Sequence, residues 1–216
     1  MEEKIQRLRE WIRATLPEGR GALIPVSGGT DSSLAFWLYA TTVPERTLGV
    51  YFGNDLRQKE WFQSIGTFEI LERPTADNVE IARWTTLLER SLKEHRVLIG
   101  TRNRTEDALG IYSAASRLAV HQPLIGLFKA DVIALCEHIG VPEEIIASSK
   151  EADPECGRPE ELARISFTAA DTFAQEKLGL VPQGTAALDP EQREYLESLY
   201  TKNEFKKHLP LRGPEL

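Results

Sequence analysis

Short apolar runs alternate with longer amphipathic stretches along the first half of the chain. Short apolar runs bounded by glycine or polar residues are typical of strands that are buried on both faces. The predicted strands are ALIPV (22–26), TLGVYF (47–52), FEIL (68–71) and RVLIG (96–100). The stretches between them, 31–40, 57–65 and 78–94, have apolar residues at helical spacing. This alternation predicts an open, mainly parallel sheet with helices on both faces.

Helical spacing also occurs on either side of this region. One apolar stripe consists of Ile5, Leu8, Ile12 and Leu16, and a second consists of Val132, Leu135, Cys136 and Ile139. We expect the second helix to stop at Gly140 and Pro142, and Cys136 to be a core residue. Residues 148–163 are polar and rich in proline, and helical spacing returns over 189–200. This order predicts an active-site loop followed by a C-terminal helical annex.

Composition narrows the class of protein. With 216 residues, of which 41% are hydrophobic, the chain is expected to form a single domain over 1–216. A net charge of −7 argues against nucleic acid or an anionic membrane as a partner. No stretch has the length of a membrane helix or the character of a signal peptide, so we expect a cytoplasmic protein. The two cysteines and four histidines lack the spacing of a metal site.

The segment SGGTDSS (27–33) follows the first predicted strand and leads into a helix. Glycines at such a turn let an oxyanion approach the main chain, and the N–H groups at the helix start attract it. Carboxylate and hydroxyl groups in the same loop suit a polyphosphate that carries Mg²⁺. The candidate ligands are Ser27, Gly28, Gly29, Thr30, Asp31 and Ser32. The alternative is a turn with a Ser/Asp helix cap; a GxxxxGK loop is absent from the sequence.

This loop resembles the SGGxDS motif of the PP-loop ATP pyrophosphatases, which split ATP into AMP and pyrophosphate. A second segment, RVLIGTRNRTE (96–106), is similar to the GTxNxxE signature of the NAD synthetases in that superfamily. The resemblance implies that Thr101 lies near the nucleotide and that Glu106 joins Asp31 in holding Mg²⁺. The alternative for this segment is a strand-to-helix turn in which Asn103 and Thr105 only cap the helix.

Further segments occur in the same order as in that family. NVEIARW is similar to GNxxARxR, which matches Arg83 to a substrate-binding arginine, and PLIGLFKADV is similar to PLxxLxKxxV, which matches Lys129 to a lysine that reaches the phosphates. ISFTAADTF is similar to ISYxxxD, and NEFKKHLP is similar to xEHKRxxP, which implies that Lys206 and Lys207 approach the dinucleotide. Asp153 matches the aspartate of KxPTAD. The alternative for the three lysines is a solvated surface.

The resemblance covers most of the chain and identifies it as a divergent, ammonia-dependent NAD synthetase with the adenine nucleotide alpha hydrolase-like PP-loop fold. It implies amidation of deamido-NAD to NAD through an acyl adenylate, with ATP as substrate, Mg²⁺ as cofactor, and AMP and pyrophosphate as products. Asp31, Glu106 and Lys129 would be the catalytic residues. Family members are commonly homodimers, and with no fused glutaminase expected, ammonia would come free or from a partner.

The chain departs from the family pattern on the acceptor side. Where the family has the acidic GDGxxDxxP, residues 110–123 read GIYSAASRLAVHQP, in which only His121 could replace a proton acceptor. Glu151 occupies the position at which the family has a Thr or Ser that contacts phosphate. Its carboxylate would repel pyrophosphate unless Lys150 or Mg²⁺ intervenes. Phe205 replaces a histidine of the family pattern. Two alternatives follow: a PP-loop ligase that adenylates another acceptor, or a nucleotide-binding homologue that has lost amidation.

Overall fold

The predicted parallel sheet is confirmed by the computed structural model, which describes residues 1–152, 159–182 and 186–207. The strands are β1 (Gly21–Pro25), β2 (Thr47–Phe52), β3 (Phe68–Leu71) and β4 (Arg96–Leu98). They pair in the order β3-β2-β1-β4, and every pair is parallel. All four predicted strands are therefore present, and a bridge from Ile99 to His121 continues the pairing beyond β4.

The helices connect these strands and continue beyond them. In chain order they are α1 (Glu2–Thr15), α2 (Thr30–Thr42), α3 (Lys59–Ile65), α4 (Val79–Lys93), α5 (Arg104–Leu109), α6 (Lys129–His138), α7 (Glu143–Ser148), α8 (Glu160–Ala163), α9 (Phe167–Lys177), α10 (Pro190–Lys202) and α11 (Glu204–Lys207). The predicted stop of α6 is confirmed, because Gly140 follows it at φ +74°. The predicted loop over 148–163 is partly helical, since α8 lies within it.

Both faces of the sheet are covered by helices, as the sequence predicts. Ala22 and Ile24 share one hydrophobic core with Ile12 of α1, Leu34 of α2 and Leu135 of α6. Cys136 belongs to this core, which confirms the prediction for its side chain. Residues that alternate with these along the strands point to the opposite face. Because parallel strands are buried on both sides, their sequences are continuous apolar runs.

The opposite face of the sheet packs against α4. Leu23, Leu48 and Val50 form a second core with Leu87 of α4. A third core joins α5 to the C-terminal helices and includes Leu109, Phe173 and Leu196. The predicted C-terminal annex is thus confirmed, and it packs beside the carboxyl ends of the strands. Among the described residues, no helix is long and apolar enough to cross a membrane.

His121 lies in the core and ties two helices to the segment that follows β4. Its ring stacks on Trp11, with centroids 4.3 Å apart, and its Nε2 forms a hydrogen bond of 2.7 Å with Thr15 Oγ1. Its Nδ1 forms a hydrogen bond with the hydroxyl of Tyr39. These contacts account for both ring nitrogens. His121 is therefore a structural residue and does not replace the missing acidic residues on the acceptor side.

We expect His121 to make the folded state sensitive to mild acid. Burial lowers the pKa of His121 from its ordinary 6.5, so the unfolded chain binds this proton more tightly than the folded one. The stability from the neutral ring is complete above the unfolded pKa and is lost as pH falls through the lowered folded pKa. Urea midpoints measured from pH 7 down to about pH 5 should fall more steeply for the unmodified protein than for His121→Gln. Parallel curves would contradict this account.

Candidate active site

The residues predicted from the first two motifs line one cavity of about 510 Å³ at the carboxyl ends of β1, β2 and β4. In an open parallel sheet this is where ligands bind. The cavity is lined by Ser27, Gly28, Gly29, Thr30, Asp31, Ser32, Arg83, Thr101, Glu106 and Lys129. The structure therefore brings together the predicted nucleotide-binding and metal-binding residues, along with Arg83 from the predicted substrate-binding set.

The loop after β1 is held in shape by its own hydroxyl groups. Ser32 Oγ accepts a hydrogen bond from Ser27 N at 3.1 Å and donates one to Gly29 O at 3.0 Å. Gly28 has φ +85°, a conformation that L side chains rarely adopt. Gly29 is the N-cap of α2 and provides no side-chain cap. The first N–H groups of α2 are thus available to an anion, as the phosphate-site interpretation requires.

Asp31 is the centre of a polar cluster that joins three elements. Lys129, at the start of α6, forms an ion pair with Asp31 Oδ2 and donates a hydrogen bond of 2.9 Å to Thr30 Oγ1. Asn103 Nδ2 donates to Asp31 Oδ1 at 2.7 Å. The side chains of Lys129 and Asp31 are only 12% and 16% exposed. Lys129 is therefore directed into the cavity rather than solvated at the surface.

The motif from Asn103 to Glu106 caps α5 and also builds the site. Glu106 N donates to Asn103 Oδ1 at 2.9 Å, and Asn103 N donates to Glu106 Oε2 at 3.2 Å, which forms a reciprocal capping box. The amide of the same Asn103 donates to Asp31. The capping and functional interpretations of this motif are therefore both correct, because different atoms of Asn103 serve each role.

Asp31 and Glu106 form a pair of carboxylates suited to a cation. Burial, with the negative charge of Asp31 in addition, raises the pKa of Glu106 to about 8. A divalent cation would relieve both effects. Mg²⁺ is usually held by one or two carboxylates and completes its shell with water and phosphate oxygens. Within the described residues no group of three or more potential metal ligands occurs. Binding of Mg²⁺ by Asp31 and Glu106 stays a prediction.

Asp171 of α9 is a site residue to which the sequence analysis gave no role, although the ISFTAAD motif contains it. Its carboxylate accepts hydrogen bonds from Thr105 Oγ1 at 2.5 Å and from the backbone N of Ala130 at 2.9 Å and of Lys129 at 3.3 Å. Burial raises the pKa of Asp171. The carboxylate fastens the start of α6 to α5, and thereby positions Lys129 for its contact with Asp31.

Asp171→Ala should lower the free energy of unfolding by about 3 kcal/mol, because Thr105 Oγ1 and the backbone N of Ala130 lose their acceptor, while Lys129 N keeps only its bond to Thr105 Oγ1. The matched control is Asp189→Ala, which removes a carboxylate that caps exposed α10 through one hydrogen bond to Gln192 N. That cap should be worth about 1 kcal/mol. Urea unfolding of both variants measures the difference; equal losses would show that Asp171 does no more than an ordinary cap.

At the β2 end of the cavity, Arg83 faces a hydrogen-bonded pair. Tyr51 donates to Asp55 Oδ1 at 2.6 Å, and burial together with Asp55 raises the pKa of Tyr51 to about 12. The Nε of Arg83 is buried and has no hydrogen-bond partner among the described residues. Its position in the cavity wall is consistent with the predicted contact to a ligand.

Glu151 reaches the cavity, but its charge is balanced by an arginine that the sequence analysis did not consider. Arg57 Nη2 lies 3.5 Å from Glu151 Oε2, and both residues line the cavity. Arg57, from the loop after β2, is thus a partner of Glu151 that the pattern did not indicate, and neutralisation by Lys150 or Mg²⁺ stays a prediction. The ion pair connects the two sides of the cavity mouth.

Two predicted substrate-binding residues, Lys206 and Lys207, do not line the cavity. Lys206 Nζ donates to the carbonyl oxygens of Gly110 at 3.1 Å and Tyr112 at 3.0 Å, and burial lowers its pKa. Lys207 Nζ forms an ion pair of 2.7 Å with Glu204. Lys206 fastens α11 to the segment after α5, and Lys207 pairs within the annex. Asp153 lies outside the described residues, and contact of all three with substrate stays a prediction.

The comparisons with known proteins agree with these motifs. The family model for NAD synthase matches residues 74–210. The chain is 23% identical to an NH(3)-dependent NAD(+) synthetase of Thermoplasma acidophilum, with 96% of each chain covered. It is 27% identical to the corresponding protein of Thermococcus kodakarensis, with 90% of this chain and 89% of that one covered.

Solved structures show the same fold. An NMN synthetase from Francisella tularensis has a TM-score of 0.73 at 19% identity, with 98% of both chains covered. An NH3-dependent NAD synthetase from Campylobacter jejuni has a TM-score of 0.71 at 18% identity, with 99% of this chain and 97% of that one covered. The predicted PP-loop fold is thus confirmed. Since the family model spans more than half of the sequence, the protein belongs to the NAD synthase family.

Proposed function

We propose that the protein is an ammonia-dependent ligase that converts deamido-NAD to NAD at the expense of ATP. The observation that carries this proposal is the cluster of Asp31, Asn103, Glu106 and Lys129 beside the loop after β1, in one cavity. Family membership supports the reaction class, and the curated relatives, which bear the name NH(3)-dependent NAD(+) synthetase, support the choice of acceptor.

The first chemical step transfers adenylate to the acceptor. A carboxylate oxygen of the acceptor attacks the α-phosphorus of ATP, and the bond to the bridging oxygen breaks with release of pyrophosphate. Lys129 and the N–H groups at the start of α2 are placed to stabilise the negative charge that grows on this leaving group. Mg²⁺ held by Asp31 and Glu106 would neutralise phosphate charge and orient the polyphosphate.

The second step forms the amide. Ammonia attacks the acyl carbon, the bond from that carbon to the AMP oxygen breaks, and the proton lost by nitrogen passes to solvent. Positioning of two substrates in one cavity converts both steps into reactions within a complex, so no protein nucleophile is required. Ser27 and Ser32 therefore serve the phosphates as hydrogen-bonding groups.

The two ends of the cavity differ in a way that suits two different substrates. The end near β2 is lined by Phe52, Leu56 and Trp84, which offer apolar surface to a flat base. The end near β4 is lined by Arg102, Ser113 and other polar residues. We assign the adenosine of ATP to the β2 end, where Arg83 would contact the nucleotide instead of the acceptor. The acceptor then occupies the β4 end, with the phosphates at the loop between them.

The test is incubation of the purified protein with deamido-NAD, ATP, Mg²⁺ and ammonium. NAD, AMP and pyrophosphate should form in equal amounts, and omission of deamido-NAD should stop AMP formation. Intact ATP in the complete mixture would overturn the proposal. Cleavage only with a different carboxylate acceptor would select the alternative PP-loop ligase, and ATP binding without cleavage would select the binding homologue.

We further propose a homodimer formed through the outer face of α4. Ile81 and Leu92 of this helix are 54% and 66% exposed, and nearby Val120 is 79% exposed. Ile81, Leu88 and Leu92 recur at helical spacing, which makes an apolar stripe separate from the one buried under α4. A helix with two apolar stripes fits burial against a second copy.

The double variant Ile81→Lys, Leu92→Lys should raise the dimer dissociation constant about 100-fold, because it places charges on the apolar stripe. Light scattering coupled to gel filtration measures the mass of both proteins, and circular dichroism should report the same helix content for each. A monomeric unmodified protein would contradict the dimer proposal.

We also propose that residues 1–216 act as one domain in the cytoplasm. Leu109 of α5 packs into the annex core, which supports a single unit. The cytoplasm supplies the ATP and Mg²⁺ that the proposed reaction needs.

A further inference from the structure

Arg102, directly after the predicted nucleotide residue Thr101, is held in an unusual state for a buried arginine. Its side chain is 12% exposed and lines the cavity. Its Nε and Nη1 are buried and have no hydrogen-bond partner among the described residues. Asp107, whose side chain is 43% exposed, forms an ion pair with Nε at 3.3 Å but no hydrogen bond. Buried guanidinium donors are costly when they lack acceptors.

Other arginines of this chain show what a structural role looks like. Arg46 donates through Nε and Nη2 to the carbonyl oxygens of Arg20 and Pro17. Arg96 donates to the carbonyl oxygens of Ala22 and Arg46. Their side chains connect backbone segments at the end of the sheet that lies opposite the cavity. In the part of the chain that the structure describes, Arg102 Nε and Nη1 donate to no backbone carbonyl, although they are buried at the ligand end.

A rigid platform keeps the Arg102 guanidinium in place. The guanidinium stacks over the ring of Tyr112, with 3.9 Å from Cζ to the centroid. The hydroxyl of Tyr112 donates to Lys206 O at 2.9 Å and accepts a hydrogen bond of 2.8 Å from Arg117 Nη2. Two hydrogen bonds therefore hold the hydroxyl end of the ring. They fix the ring on which the Arg102 guanidinium stacks, so the guanidinium is pre-organised to bind a ligand.

Three cations surround this platform, and the carboxylates that face them are Asp107, paired with Arg102, and Glu80, near Lys206. Arg117 and Lys206 lie 5.6 and 5.8 Å from the centroid of the Tyr112 ring, in addition to Arg102. Residues 110–122 contain no carboxylate. Ser113 and Ser116 line the same part of the cavity. A fork of arginine donors beside serines is chemistry that recognises phosphate.

We propose that Arg102, stacked on Tyr112, binds a phosphate group of the acceptor and so selects phosphorylated acceptors. This inference rests on the proposed function and adds a specificity residue to it. The same phosphate chemistry could come from the pyrophosphate of a dinucleotide acceptor or from the phosphomonoester of a mononucleotide acceptor. The carboxylate that reacts lies on the other part of the acceptor, toward Lys129 and the loop after β1.

The test compares Arg102→Gln with the unmodified protein on three acceptors: deamido-NAD, nicotinate mononucleotide and nicotinate riboside, which keeps the carboxylate and lacks phosphate. The variant should raise KM about 30-fold for the better phosphorylated acceptor and change KM for ATP and for the riboside less than about 3-fold. The phosphorylated acceptor whose KM rises more identifies the source of the phosphate. Arg102→Lys should recover part of the loss, because it restores charge without the fork.

Two controls keep the result decisive. Arg104→Gln removes a neighbouring arginine that stacks on Phe128 outside the cavity wall, and it should leave all three KM values unchanged. Calorimetric binding of each acceptor, in the presence of ATP analogue and Mg²⁺, gives a readout that does not need turnover. An Arg102→Gln protein with unchanged phosphorylated-acceptor KM and affinity, or with an equal loss on the riboside, would overturn the inference. Absence of turnover in the unmodified protein would instead overturn the proposed function.

Discussion

Asp31→Asn should lower kcat for ATP cleavage about 10³-fold while leaving the nucleotide bound. The substitution keeps the size of the side chain and an oxygen to accept from Asn103, so the geometry of the cluster is retained. It removes the charge that pairs with Lys129 and that would hold Mg²⁺. The loss should therefore fall on the step in which charge moves onto pyrophosphate.

Nucleotide affinity distinguishes this explanation from a damaged fold. Without Mg²⁺, the variant should bind ATP as tightly as the unmodified protein or more tightly, because a carboxylate near the phosphates is gone. With Mg²⁺, the gain in affinity seen for the unmodified protein should be lost. Calorimetric titrations with and without the metal measure both quantities.

The matched control is Asp131→Asn, on the surface of α6. Asp131 pairs with Lys4 at 2.5 Å and caps α6 through the backbone N of Phe128, which Asn can also do. Its kcat should be unchanged. If Asp31→Asn retains full turnover at saturating Mg²⁺, Asp31 has no place in the catalytic cluster.

The sheet was predictable from sequence because β1, β2 and β4 are largely buried on both faces, whereas the edge strand β3 is partly exposed. TLGVYF and RVLIG are continuous apolar runs for this reason, and the structure keeps them as β2 and β4. The stop of α6 was predictable because glycine and proline act locally. Such features depend on residues close in the chain, which is why pattern alone locates them.

The site was predictable only where its chemistry is carried by a contiguous segment. The loop from Ser27 to Ser32 and the segment from Thr101 to Glu106 are of this kind. Asp171 joins them from 66 positions beyond Thr105 along the chain, and its contact with the start of α6 follows from packing of the annex. Nothing in the local pattern reports such a contact.

Two residues show how tertiary packing overrides local expectation. His121 was the one residue of 110–123 that could replace a proton acceptor, but pairing beside Ile99 places its ring between α1 and α2. Arg102 carried no expectation because its neighbours matched a motif in which this position is unrestricted. Its importance appears only through the ring of Tyr112, whose orientation depends on α11.

Lys129→Met should reduce kcat/KM for ATP about 10³-fold, or about 4 kcal/mol of transition-state stabilisation. Methionine preserves the length of the side chain and removes the charge that faces the leaving group. The surface substitution Lys93→Met, which breaks an exposed pair with Glu89, is the control and should not change turnover.

The same substitution should also destabilise the ligand-free protein. Lys129 is the cation that faces Asp31, and without it the buried carboxylate of Asp31 loses its countercharge next to Glu106. Tm should fall by about 5 °C, and millimolar Mg²⁺ should restore part of the loss. A Tm that falls without any response to Mg²⁺ would contradict the assignment of these two carboxylates to a cation.

The double variant Asp31→Asn, Lys129→Met separates the roles of the pair. If the two residues act together on pyrophosphate, the double variant should lose about as much turnover as the worse single variant, roughly 10³-fold rather than 10⁶-fold. Its Tm should exceed that of Lys129→Met, because the buried charge left without a partner has been removed. Multiplicative loss of turnover would mean that Asp31 and Lys129 assist separate steps, and the ion pair between them would then be structural.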